Sequence, residues 1–179
     1  RNNRRDTSME AGSFIAEALT REHDSLLQEV QDLTPEELAW RPGPEANPIG
    51  WILWHVIRVE DMWLQFFAQR KLELWESQGW HLRFNLPTRD NGFGHTPEQV
   101  GDFPALDLTE LLAYFEQVRI STLDYLRGLS QEQLEDRPRE NRPEMTVGSM
   151  FRQILGEVYQ HLGHIAYLKG LLRSRGQQE

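Results

Sequence analysis

The stretch NPIGWILWHVIRVEDMWLQFFAQ, residues 47–69, sets the fold class. At about 100° per residue, Ile49, Ile52, Val56, Val59, Met62, Trp63 and Phe66 gather on one side, which is the period of an α-helix. Asn47 followed by Pro48 reads as an N-cap and a first helical position, and the helix runs to about Arg70. His55 falls inside the apolar stripe. Arg58 and Asp61 lie towards the other side and read as solvated or inter-helix pairs.

The same period recurs on both sides of this helix. Phe14, Ile15, Leu19, Leu26, Leu27 and Val30 predict a first long helix over about residues 10–32. In LTPEELAWRP, from Leu33, Thr34 reads as an N-cap, Pro35 as the first helical position and Glu37 as the capping-box partner of a short helix. Further long helices are expected over about Leu108 to Leu129 and about Val147 to Arg173. Lys71 to Leu106 is instead rich in Gly, Pro, Asn and Asp, with the cap grammar returning at Thr96, Pro97 and Gln99, so one short helix interrupts a long crossover. Its aromatics, Trp75, Trp80, Phe84 and Phe93, argue for an ordered lid. Four long helices and no strand pattern make the chain an all-α four-helix bundle. LSQEQLEDRP, from Leu129, shares Leu, Glu, Leu, Arg and Pro with LTPEELAWRP and has Ser for Thr. Each copy precedes a long helix, which suggests two related hairpins, although good capping sequences also recur by themselves.

Length and composition bound the function. A chain of 179 residues suits one domain, taken as residues 10–175 behind a basic tail over residues 1–9, with Met9 a candidate start. A net charge of −9 and the lack of a basic stripe argue against nucleic acid or an anionic membrane as partner. No run resembles a signal segment or a membrane span, so a cytoplasmic location is expected. There is no cysteine, which excludes disulfides, thiolate metal sites and a cysteine nucleophile.

The polar groups on the inner faces carry the chemistry. In GEVYQHLGHIAYLKGLL, residues 156–172, Glu157, His161 and His164 run along the margin of a side formed by Val147, Met150, Ile154, Val158, Ile165, Leu168 and Leu172. Residues at i and i+4 project from one helix face with Cβ atoms about 5–6 Å apart, which suits Glu157 and His161 to a single ion. With His55 from the other hairpin they form a His, Glu, His set that matches a catalytic zinc site with an open position and also the two-His, one-carboxylate arrangement of non-haem iron. A divalent ion also removes the cost of burying the carboxylate. Zinc is the first choice, with nickel, iron or manganese as alternatives. His164 is read as a second donor that orients a ligand, or as a fourth ligand. His95, in GFGHTPEQV, could swing over the bundle mouth, a surface position being its default. His23 and His81 have no pattern that lifts them above structural or solvent roles.

NPIGWILWHVIRVED and GEVYQHLGHIAYLKGLL together resemble the DinB/YfiT-like metalloenzyme superfamily, over about Phe14 to Leu172. WRPGPEANPIGWILWH is similar to its branch of mycothiol-dependent maleylpyruvate isomerases. The resemblance implies an up-down-down-up bundle with a long crossover between helices two and three. It also implies a divalent metal on His55, Glu157 and His161, the Glu being the isomerase-like choice where many members carry His. His164 departs from the Gln often found there. Members of known activity are mostly metal-dependent transferases or isomerases that use low-molecular-weight thiols, so the expected function is transfer of a mycothiol- or bacillithiol-like thiol to a small electrophile. A hydrolase using metal-activated water and a non-catalytic, metal-stabilised, stress-associated binding bundle are the alternatives. A small-molecule substrate and a homodimer are the expected partners.

Overall fold

In the computed structural model, residues 9–175 are described; the N-terminal tail, apart from Met9, lies outside the described residues. The elements are helical throughout: α1 (Ala11–Val30), α2 (Pro35–Ala39), α3 (Ile49–Asp61) continuing into a π-helical turn (Met62–Ala68), α4 (Leu74–Ser77), α5 (Trp80–Phe84), α6 (Pro97–Gly101), α7 (Leu108–Arg127), a 3₁₀ turn (Glu132–Glu135) and α8 (Val147–Arg175). The long helices α1 and α3 each pack against both α7 and α8. The cap grammar is realised where it was expected: Thr34 with Glu37 and Thr96 with Gln99 form complete capping boxes, and each helix has Pro in its first turn.

Three expectations need correction. Pro48, with extended backbone, is the N-cap of α3, so Asn47 lies one residue before the cap and the helix starts at Ile49. The helical stretch does reach the end of the apolar run, but its last part, Met62–Ala68, is wound as a π-helix. Such a change is a backbone hydrogen-bond register with no residue signature of its own. The third concerns burial: α3 is not one-sided, because every residue from Trp51 to Asp61 is buried, Arg58 and Asp61 included. One side of α3 packs on α7 and α8; the crossover covers much of the rest, with Trp75 set edge-on to Trp54 at 6.3 Å and Phe103 against Trp54 at 4.7 Å.

The crossover is more ordered than a loop with one helix. It contains α4, α5 and α6, and Trp75, Trp80 and Phe84 are core residues, while Phe93 is exposed. Asp61 accounts for the start of α4: its carboxylate accepts the Leu74 and Trp75 N–H groups at 2.9 and 2.8 Å, which are free donors at a helix start. The cap comes from α3, so no local sequence signal announces it.

The repeated decapeptide closes two equivalent corners. Thr34 and Ser130 both accept from the N–H three residues on, Glu37 and Gln133. Arg41 and Arg137 both turn back onto following carbonyls, those of Ala46 and Pro143. A Cβ on Gly50 would meet the Leu38 carbonyl oxygen at 3.2 Å, and one on Gly148 the Leu134 carbonyl oxygen at 3.1 Å. Leu38 and Leu134 hold the same place in the two decapeptides, and each corner seats its leucine against the first turn of α3 or α8.

Candidate metal centre

His55, within the enclosed helix α3, is fixed from two directions. Its ring lies parallel to Trp51 at 5.0 Å, and its Nδ1 meets the Asn91 carbonyl oxygen at 2.5 Å. A carbonyl can only accept, so Nδ1 carries the proton and Nε2 presents a lone pair. Burial lowers the pKa of this imidazole, against the opposing pull of the Asn91 hydrogen bond, so the ring is held neutral.

Nε2 of His55 faces Glu157 Oε2 at 3.9 Å, and His161 Nε2 lies 3.3 Å from the same oxygen. The other carboxylate oxygen, Oε1, accepts from Gln153 Nε2 at 3.0 Å. Glu157 has its pKa lowered, first by the hydrogen bond to His161, and is therefore an anion. His164 stands beside His161 with the two Nδ1 atoms 3.3 Å apart, away from the Nε2 that faces Glu157. It is more exposed than the three candidate ligands, and the donors that converge are those of His55, Glu157 and His161, all within 4.8 Å of one another.

This set fits a divalent cation. The lone pair of a neutral, buried imidazole is aimed at a carboxylate oxygen, so two acceptors oppose each other unless a cation sits between them. Tetrahedral bonds of about 2.0–2.2 Å separate donors by about 3.3–3.6 Å; the observed 3.3 and 3.9 Å need only a small closure.

A buried network places the Asn91 carbonyl. Arg58 Nε donates to the Asp90 carbonyl at 3.1 Å and Nη2 to the Thr88 carbonyl at 3.4 Å, while Nη1 meets Glu73 at 2.6 Å and donates to the Tyr114 hydroxyl at 3.2 Å. Tyr114 in turn donates to Asp61 Oδ2 at 2.6 Å. Arg58 and Asp61 are thus a clamp that fastens residues 88–91 to α3, rather than solvated side chains. His95 is placed differently from both of its expected positions. Its Nε2 donates to Asp90 Oδ1 at 2.9 Å and its Nδ1 accepts from Trp51 Nε1 at 3.2 Å, so it braces the loop behind His55. His23 pairs with Glu116 at 3.1 Å and His81 meets the Trp75 carbonyl at 3.0 Å, both away from the centre.

Sequence reasoning missed Trp51, Asn91, Gln153 and Gly92. Only Gly92, in the Gly-Phe-Gly triplet, carried a signal. Its φ is +85°, and a Cβ there would lie 2.7 Å from Trp51, 3.0 Å from Trp54 and 3.2 Å from His55 Nδ1. Gly92→Ala is therefore expected to destabilise the fold by about 2 kcal/mol or more and, by displacing Asn91, to weaken metal binding about tenfold. Gly94 has a φ of +80° with nothing near its Cβ position, so Gly94→Ala should carry the backbone strain alone and leave metal affinity intact. Thermal melts and chelator competition on the two variants check this, and equal metal affinities would remove Asn91 from the account.

An open cavity of about 440 Å³ starts at His55 and Glu157 and continues past Asn91 to the π turn. That volume is within the usual range for small-molecule sites.

Two imidazoles and a carboxylate on the inner faces of α3 and α8, with a cavity at their side, define a helical protein with a candidate mononuclear metal centre. The chain belongs to the DinB superfamily, whose profile matches residues 18–165. A solved structure described as a conserved protein from Enterococcus faecalis is similar to it, with 25% identity and a TM-score of 0.82 over 93% of this chain and 99% of that one. No curated protein matches. Among the described residues no helix is long and apolar enough to cross a membrane.

Proposed function

We propose that the protein is a divalent-metal enzyme that transfers a low-molecular-weight thiol to a small electrophilic substrate. The observation that carries the reading is the convergence of His55 Nε2, Glu157 Oε2 and His161 Nε2, the first two residues of which line a cavity large enough for a substrate. On this reading the long helices form the up-down-down-up bundle, the enzyme works in the cytoplasm, and a homodimer is the expected assembly. Zinc is the first candidate, since two imidazoles and one carboxylate leave it an open position.

A bound divalent ion supplies Lewis acidity, which lowers the pKa of a thiol or water at neutral pH. The residues do the rest. Asn91 and Trp51 hold the His55 ring so that its Nε2 lone pair points inward, and Gln153 holds Glu157 Oε1 so that Oε2 faces both histidines. The protein has no thiol of its own to compete for the open position.

In the transfer itself the incoming thiol loses its proton to solvent, a carbon–sulfur bond forms at the electrophilic carbon, and the leaving group departs with the bonding pair. The test is turnover of an electrophile panel by metal-loaded protein with and without mycothiol, bacillithiol or cysteine. Conjugation that requires a thiol and falls at least about 100-fold in His161→Ala is expected. Metal-dependent turnover indifferent to every thiol would make the protein a hydrolase, and retention of metal without any turnover would make it a binding protein.

A further inference from the structure

The cavity beside the metal centre is built unevenly, and three features of its far side are used by nothing so far described. The first is the π turn. Gln69 N–H reaches the Leu64 carbonyl at 3.2 Å, five residues back, and this widened winding puts Met62, Trp63 and Phe67 together on the cavity wall, with Trp63 and Phe67 rings 4.9 Å apart. The second is Phe93, which is 90% exposed although it lines the cavity. It stands between two glycines of positive φ in a turn tied down by Asn91 Oδ1, which accepts the Phe93 N–H at 2.9 Å, and by Asp90 Oδ1, which accepts that of Gly92 at 2.9 Å. An aromatic ring is thus held out to water by an ordered turn.

The third is Arg142. Its neighbours Arg137 and Arg139 are engaged, Arg137 with the Pro143 carbonyl and Arg139 with the carbonyls of Phe66 and Phe67 at the end of the π turn. Arg139 therefore fastens this segment beside the cavity, and Arg142 is the arginine that lines it. No carboxylate or carbonyl engages the Arg142 guanidinium among the described residues, in a protein whose net charge is −9.

We propose that the substrate is a small organic monocarboxylate with an apolar, ring-sized body. The body lies between Trp63, Phe67 and Phe93, the carboxylate pairs with the Arg142 guanidinium, and the reacting carbon sits at the His55 and Glu157 end. A planar carboxylate matches the two-pronged donor geometry of Arg. Arg142 is the one cationic side chain among the lining residues and stands at the end away from the metal position, which suits it to a single carboxylate rather than to a phosphate or a dicarboxylate. The inference rests on the reading of His55, Glu157 and His161 as the reactive end, and its test separates the two.

The probes are 4-phenylbutyrate and its neutral isostere 4-phenylbutyramide, titrated calorimetrically into metal-loaded and metal-free protein, with metal content measured by elemental analysis. Wild-type protein is expected to prefer the acid by about fivefold, the worth of one solvent-accessible ion pair. Arg142→Gln should bring that preference close to one while leaving metal content and amide affinity unchanged, and Arg142→Lys should restore part of it. Phe93→Ala should weaken acid and amide alike. A preference that survives in Arg142→Gln but disappears when the metal is removed would place the carboxylate on the metal and overturn the proposal, as would equal binding of the two probes by wild type. A wild-type protein that takes up no metal yet keeps the Arg142-dependent preference would overturn the metal-enzyme reading and leave the substrate class standing.

Discussion

His55→Ala, Glu157→Ala and His161→Ala are each expected to reduce affinity for a divalent ion by more than about 100-fold, because even the residues that merely orient metal ligands are commonly worth 10–100-fold. Elemental analysis of protein purified without an affinity tag, followed by chelator competition, measures the loss. Unchanged occupancy in all three variants would dismiss the site. His164→Ala supplies the contrast: its ring touches His161 through Nδ1 and adds no donor to the converging three, so a loss of at most about tenfold is expected. The pH dependence has a defined sign. Protons compete with the metal for imidazole, so affinity falls as pH drops below about 6.5. The His55 imidazole, its pKa lowered by burial, yields its place to a proton only at a lower pH than an exposed histidine would.

Asp61→Ala is expected to be the most destabilising of the substitutions considered, by about 3–5 kcal/mol, or about 6–20 °C in melting temperature for a protein of this size. Asp61 is fully buried, and the change would strip the acceptor from the Leu74 and Trp75 N–H groups and from the Tyr114 hydroxyl. It would also leave Arg58 buried with Glu73 as its remaining carboxylate. Burial pushes the Asp61 carboxyl up to about 6 from 3.8, the hydrogen bonds and Arg58 offsetting only part of the rise. The folded protein therefore binds this proton more readily than the unfolded chain does. Its contribution is fully present below about pH 4 and is lost as pH rises through about 6, a change of about 2–3 kcal/mol. The stability difference between wild type and Asp61→Asn should shrink over that interval. Urea unfolding at pH 4, 5, 6 and 7 measures it, and a constant difference would show that the carboxyl titrates alike in both states.

The sequence carried the long helices because their signals are local. Apolar spacing placed α1, α7 and α8, and Thr34 with Glu37 and Thr96 with Gln99 announced their own caps. It also carried the three converging donors, since one i,i+4 pair on one helix and a histidine in the apolar stripe of another leave few ways to pack. What escaped was non-local. Of the two readings of Arg58 and Asp61, the inter-helix one holds through Tyr114 of α7 and the solvated one fails, because a periodicity argument gives a helix one buried side whereas α3 is enclosed by the crossover as well. Asn91 acts through a backbone carbonyl, which any residue possesses, so its identity could not disclose its role. His95 braces the loop through Asp90 and Trp51, partners that only the folded crossover brings beside it.

The paired corners have a consequence for the centre itself. The shift that carries Gly50 onto Gly148 carries His55 onto Gln153, Val59 onto Glu157 and Trp63 onto His161. Five of these six residues line the cavity, and the sixth, His161, is one of its converging donors. Two matched rows of three, one on each helix, thus face one another across the same space. In the first row only the leading position is a candidate ligand and the other two are apolar wall; in the second the leading position is an amide and the other two are candidate ligands. Positions matched on two helices thus carry unlike side chains, with the candidate ion-holding groups mostly on α8 and the apolar wall mostly on α3 and its π-wound end.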